Sequence, residues 1–303
     1  MAAPLTEAQH AQAIGLDTRP DGDVLLSLLQ GQKDALMALD GALPDLAKAA
    51  ELMQRTIEAG GRLIYAAAGS SGLMALADAA ELGGTYGIAT EQVGILMAGG
   101  LPVDTSMPGA SEDDAEDGMR AAQSIFAKDT VIALSASGGT AYPMAVARMA
   151  KERGAAVICI ANNQGAAMFQ HADVAICLAT PPEMIAGSTR MGAGTAQKVA
   201  LNMMSTLMGV RLGHVYDGLM VNLVADNDKL RLRAAAMICQ IADVDAARAR
   251  DCLAFARGSV KLAVLLAEGA GDVAAGELLL KQTNGNLRAA LAGLPCRSVK
   301  PET

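Results

Sequence analysis

Two short stretches carry the densest chemistry in the chain. VIALSASGGTAY (131–142) runs from an apolar strand into Ser135-Ala136-Ser137-Gly138-Gly139-Thr140. RLIYAAAGSSGLMAL (62–76) runs from another into Gly69-Ser70-Ser71-Gly72. Hydroxyls and glycines at the mouth of a helix suit the holding of a phosphate. Backbone N–H groups in a helix's first turn are unpaired and partly positive, and glycine lets the chain come close. Ser and Thr hydroxyls then donate to the phosphate oxygens. Other phosphate-binding patterns do not fit: neither loop holds Gly-Lys-Ser/Thr, and no G-x-G-x-x-G follows the first strand. The plainer reading is that Ser137 or Thr140 simply caps the next helix. Two such loops after non-adjacent strands of one sheet favour a phosphorylated small molecule, bound without metal.

The elements behind these loops are legible as alternating patterns. Short apolar runs at RLIYAA (62–67), VGILMA (93–98), TVIALS (130–135), AAVICIA (155–161) and VAICLA (174–179) predict buried parallel strands. Helical spacing separates most of them, at 71–82, 112–127 and 140–153, and a long helix follows from about Gly194 to Leu212. The expectation is an α/β fold, a three-layer αβα sandwich of about five parallel strands. In such sheets ligands bind outside the carboxyl ends of the strands, where both hydroxyl loops fall. Residues 23–58 read as helices ending at Gly60-Gly61, and 229–293 as several more, the last two around an Asn-Gly-Asn turn. Three segments are expected: an N-terminal helical segment at 1–58, a ligand-binding domain at 59–226 and a helical domain at 227–303.

Composition narrows the function classes. The chain has 303 residues, 52% of them hydrophobic, enough for at least one large core. A net charge of −8 argues against a nucleic-acid surface, and the absence of Trp with only three Phe and four Tyr argues against base stacking. Cysteines at 159, 177, 239, 252 and 296 show no close pairing and read as reduced, buried thiols. The N-terminal MAAPLTEAQHAQ lacks a signal-peptide pattern, and no apolar run approaches the ~20 residues of a membrane span. A soluble, cytoplasmic protein is expected. His171 and His214 lack ligand-spaced partners and read as structural.

Ser135-x-Ser137-Gly138-x-Thr140 with Gly69-Ser70-Ser71 resembles the sugar isomerase (SIS) phosphosugar-binding domain. Longer blocks narrow the likeness: GRLIYAAAGSSG (61–72), DAAELGGTYG (78–87), EMIAGSTRMGAGTAQKVALNMMST (183–206) and GLMVNLVADNDKLRLR (218–233). Through them the chain resembles the N-acetylmuramic acid 6-phosphate etherase family. The resemblance implies a five-stranded parallel sandwich with a small C-terminal helical domain like a ubiquitin-associated fold, read here as a packing or dimer element. It also implies a homodimer and a phosphosugar substrate. The implied reaction uses water and no metal or cofactor: a base removes the C2 proton of the opened sugar, lactate leaves from C3, and water adds. Glu81 matches the family's first catalytic glutamate and is expected to be a buried acid. Glu183, Ser188, Arg190 and Lys198 match positions of the long block and are expected to bind substrate with Ser70, Ser71, Ser135, Ser137 and Thr140.

The chain also departs from the family. Gly109 stands where the second catalytic glutamate is expected, or Pro108 after a one-residue shift. Glu112 and Asp113 still match the acidic pair that follows, and Glu112 is the candidate substitute base. The family's Ser-Gly-Arg in both hydroxyl loops becomes Ser71-Gly72-Leu73 and Ser137-Gly138-Gly139. Three functions follow: an etherase-like lyase, a phosphosugar isomerase or lyase acting on a relative without the lactyl group, and a non-catalytic sugar-phosphate sensor. Glu81 favours an enzyme, whereas Gly109 and Leu73 favour altered or absent catalysis.

Overall fold

The computed structural model describes residues 5–107, 109–223 and 228–294. Five strands form one wholly parallel sheet: β1 (Leu63–Ala67), β2 (Val93–Met97), β3 (Thr130–Ser135), β4 (Ala156–Ala161) and β5 (Val174–Cys177). Their order is β2-β1-β3-β4-β5. The N-terminal helices are α1 (Asp21–Leu36) and α2 (Leu43–Glu58), followed by α3 (Gly69–Tyr86), α4 (Ala115–Ala121), α5 (Ala141–Glu152) and α6 (Gly192–Arg211). Successive strand side chains face opposite ways. Ile64, Val131, Ala133, Val157 and Cys159 therefore join Tyr142, Val146 and Ala150 of α5 in one buried cluster. Tyr65, one step out of phase, sends its hydroxyl to Asp78 of α3 instead. The fold is the expected three-layer sandwich.

Most strand expectations hold within a residue or two, and TVIALS matches β3 residue for residue. Two helical expectations change. The helix expected at 71–82 begins at Gly69 and continues through Gly83-Gly84 to Tyr86, because positive φ at Gly69 turns the chain out of β1 directly into it. The helix expected at 112–127 is broken into a 3-10 turn (Gly109–Asp113), α4 and a second 3-10 turn (Ala122–Ser124), with Asp114 capping α4 through the Asp117 N–H at 2.8 Å. The two loops also follow neighbouring strands, not non-adjacent ones, since β1 and β3 pair directly.

The chain divides into two compact units, one of residues 1–81 and 89–207, the other of 82–88 and 208–303. The second holds an unexpected hairpin, β6 (Val215–Tyr216) and β7 (Leu219–Met220). Its turn has positive φ at both Asp217 and Gly218, as an Asp-Gly hairpin requires. Helices α7 (Asp228–Ala242), α8 (Ala246–Phe255), α9 (Val260–Glu268), α10 (Val273–Gln282) and α11 (Leu287–Ala292) complete it. Within it, burial and the neighbouring Lys261 push the His214 imidazole down to about 4. The expected boundary at 226/227 lies outside the described residues, as does Cys296; the four described cysteines are free. No helix among the described residues is long and apolar enough to cross a membrane.

One ion pair locks the start of the β1–β3 pairing. Arg62 donates to Asp129 Oδ2 at 2.6 Å, while the Arg62 and Phe126 backbone N–H groups reach the same carboxylate at 3.0 and 2.9 Å. The Asp129 side chain is fully buried and Arg62 mostly so. Burial raises the carboxyl's pKa, but these donors outweigh it and leave it below the usual value. A lowered carboxyl stabilises the fold above its unfolded pKa near ~3.9 and loses that contribution as pH falls through the lower folded value. Asp129→Asn is expected to cost about 2–3 kcal/mol near neutral pH, because the buried donors lose their charged acceptor. Urea unfolding of both proteins measures this, and the gap should narrow below about pH 4.

Candidate functional site

Connections from β1 run to opposite sides of the sheet, to β2 on one flank and back across to β3 on the other. That reversal opens a crevice beyond the carboxyl ends of β1 and β3. A pocket of about 340 Å³ lies there, lined by Ala68 to Ser71 from one loop and Leu134 to Ser137 with Thr140 from the other. Glu7, Glu112, Gly187 and Thr189 complete its wall. Five of the predicted phosphate-binding residues are therefore brought together with Glu112.

Within the second loop the hydroxyls hold one another. Ser135, 3% exposed, bonds Thr140 Oγ1 at 2.7 Å and Ser137 Oγ at 3.2 Å, and its oxygen accepts the Gly138 N–H at 3.0 Å. Ser137 Oγ accepts the Gly139 N–H at 3.2 Å. Thr140 occupies the N-cap position of α5 but makes no side-chain capping bond. The capping alternative therefore fails for Thr140, whose hydroxyl turns to Ser135 and the pocket. Gly138 has φ +74°, and a Cβ there would stand 2.2 Å from the Ala166 Cβ. The tight turn exists only because that position carries no side chain.

At the first loop, Gly69 makes room for an acid. A Cβ on Gly69 would lie 2.6 Å from Glu112 Oε1, so the carboxylate rests on the backbone at the start of α3. A negative group is favoured at that helix end. Gly109 opens the 3-10 turn carrying Glu112, and it is exposed. Pro108 lies outside the described residues.

The other predicted residues are not in this wall. Glu81 is exposed in the interior of α3, not the buried acid at a helix end that was expected, because it lies on the outward face that also carries Leu73, Ala77 and Gly84, opposite buried Ala75, Asp78 and Leu82. Glu183 is 5% exposed and receives the Gly192 and Ala193 N–H groups at 2.9 and 2.8 Å. It caps α6 with both oxygens. Ser188 is half-buried, and Arg190 and Lys198 are exposed.

Three features escaped sequence reading. Asp78, 4% exposed, accepts from Tyr65, Asn202 and Ser205 at 2.8 to 2.9 Å, fastening α3 to β1 and α6. Burial first, then the Asp78 carboxylate, pushes the Tyr65 phenol well up. Asn163 donates to Ala136 O and Thr6 Oγ1 at 3.0 and 3.1 Å. Glu7 reaches the pocket from the N-terminal 3-10 turn Leu5–Glu7. Only the run of matching residues around Asp78 carried any signal. Glu7 and Asn163 sit in polar surroundings without period.

The SIS domain family model matches residues 105–208. The chain is 34% identical over 289 residues to an N-acetylmuramic acid 6-phosphate etherase of Actinobacillus pleuropneumoniae serotype 7 (strain AP76), covering 95% of each chain. It is 40% identical over 263 residues to an N-acetylmuramic acid 6-phosphate etherase of Shouchella clausii (strain KSM-K16), covering 86% of this chain and 89% of the other. A phosphoheptose isomerase structure from Francisella tularensis aligns at TM-score 0.48 and 17% identity, over 63% of this chain and all of that one.

Gly69→Ala tests the arrangement at the first loop. The added Cβ strains a positive-φ position by about 1–2 kcal/mol and pushes Glu112 out of the pocket. Its thermal midpoint should fall by a few degrees. A crystal structure of the variant should show the Glu112 carboxylate displaced while the second loop keeps its hydroxyl bonds.

Proposed function

The chain belongs to the N-acetylmuramic acid 6-phosphate etherase family, and on that premise we propose that it is a lyase acting on a 6-phosphorylated amino sugar. The supporting observation is the pocket in which Ser70, Ser71, Ser135, Ser137 and Thr140 converge at the reversal of strand order. The phosphate docks on these hydroxyls, clear of Gly69, where the Glu112 carboxylate lies. The opened sugar then extends toward Glu112. A carboxylate within reach of C2 takes the proton acidified by the neighbouring aldehyde, the C3 ether oxygen departs with a proton, and water adds to the alkene. Glu112 serves as the base in this scheme. Glu81 is the acid carried over from the family's pattern.

A second reading rests on a specific observation. Among the described residues lining the pocket none is Lys, Arg or His, so no cation there pairs with a lactyl carboxylate. That favours an isomerase or lyase for an amino-sugar phosphate without the lactyl group. We also propose a homodimer. Leu25, Leu26 and Leu29 of α1 are 51–66% exposed, and nearby Met37 is 66% exposed, an apolar stripe that a second copy would cover.

Incubation with N-acetylmuramic acid 6-phosphate should release lactate, followed by coupled dehydrogenase assay. Glu112→Gln and Glu81→Gln should each lower the rate by about 10²-fold or more. Binding of the sugar without lactate release selects the second reading. For the dimer, Leu26→Glu with Leu29→Glu should halve the mass seen by light scattering.

A further inference from the structure

We propose that the groove between α7 and α8 is a docking surface for α1 of a second copy of this chain. The inference rests on the homodimer proposed above and names the face that meets the α1 stripe. Two cavities, of about 700 and 580 Å³, lie along this helix pair and share Leu232, Ala235 and Arg250. They form one trough. Its lining on α7 falls at Asp228, Arg231, Leu232, Ala235, Cys239 and Gln240, the spacing of a single helix face. From Asp228 to Gln240 that face runs for about 18 Å at the α-helical rise. Leu232 is 73% exposed in it, beside buried Ala235 and Leu253, so a partner laid there finds apolar surface to rest on.

Charge selects the partner. The chain carries a net charge of −8, yet the larger cavity is lined by Arg231, Arg250 and Arg257 against the single carboxylate of Asp228. Arg231 is paired with that carboxylate at 2.8 Å. Arg250 and Arg257 have no ion-pair partner among the described residues. Such a surface suits a helix with one apolar face and an excess of acid. α1 is that helix. Its Leu25, Leu26 and Leu29 are 51–66% exposed, and no other described helix exposes three large apolar side chains. It carries Asp21, Asp23 and Asp34 against Lys33, with Asp21 and Asp23 exposed in its first turn. Its 16 residues span about 24 Å, enough to fill the trough. Packing α1 on a second α1 would cover the leucines but set two acidic helices together, whereas the trough covers them with opposite charge.

Light scattering on charge-reversed full-length proteins tests this. Arg250→Glu with Arg257→Glu, and separately Asp21→Lys with Asp23→Lys, should each halve the mass of the wild-type dimer, with melting temperatures recorded as a check on folding. Mixing the two variants should restore the dimer mass, because each acidic trough then meets a basic α1 and each basic trough an acidic one. A dimer that persists in the Arg250→Glu, Arg257→Glu protein, or two folded monomeric variants that stay monomeric when mixed, overturns the contact between α1 and the trough and leaves the homodimer reading intact. If the wild type is itself monomeric, the homodimer reading falls and this inference falls with it.

Discussion

The direct pairing of β1 with β3 is the constraint on which the site depends. Ala67 stands opposite Leu134, so both strands end at the same level and release their loops side by side. A one-residue slip would flip every side chain between the sheet's faces and move one loop along the crevice. The buried Arg62–Asp129 pair sits at the other end of these two strands and holds their register. Asp78 then fastens α3, the helix launched from the first loop, to β1 and α6. The site is thus fixed from behind before any residue in it touches a ligand.

The second constraint is charge. Among the described residues, the pocket offers hydroxyls, amides and two carboxylates, without a cationic side chain in its wall. Neutral hydroxyls can hold an anion in a poorly solvated crevice when each donor is already oriented. The mutual bonds of Ser135, Ser137 and Thr140 supply that orientation. They also explain why Thr140 gives no capping bond to α5, since its hydroxyl is already engaged. Leu73 and Gly139 stand where arginines were expected, and both are exposed. Neither lines the pocket.

Much of this was legible in the chain's own pattern, for identifiable reasons. Strands covered on both faces must be apolar throughout, so β1, β3 and β4 stand out as unbroken runs. Glycine beside hydroxyl is equally visible, and Gly69 and Gly138 do occupy the positive-φ positions such loops need. Side-chain direction on a helix was less visible. Glu81, beside Gly83-Gly84, is expected to be buried, but its phase on α3 places it on the outward face. Glu183 shows the converse case. Its place in a block of matching polar residues pointed to a ligand, while its two oxygens go to the first amides of α6. A single sequence does not separate those roles, since both need a carboxylate beside a glycine-rich helix start.

Long-range contacts were the least legible. Thr6 and Asn163 are 157 positions apart, and nothing in the local spacing of either announces the other. Yet their bond decides how the N-terminal turn is used. A short 3-10 turn has too few internal hydrogen bonds to hold itself, so its position reflects what it is tied to. Here it is tied to the backbone of Gly187 and, through Asn163, to Ala136. Movement of the second hydroxyl loop on binding phosphate would pass through the Asn163 amide to Thr6 and hence to Glu7. The N-terminal turn and the second hydroxyl loop are therefore mechanically one unit.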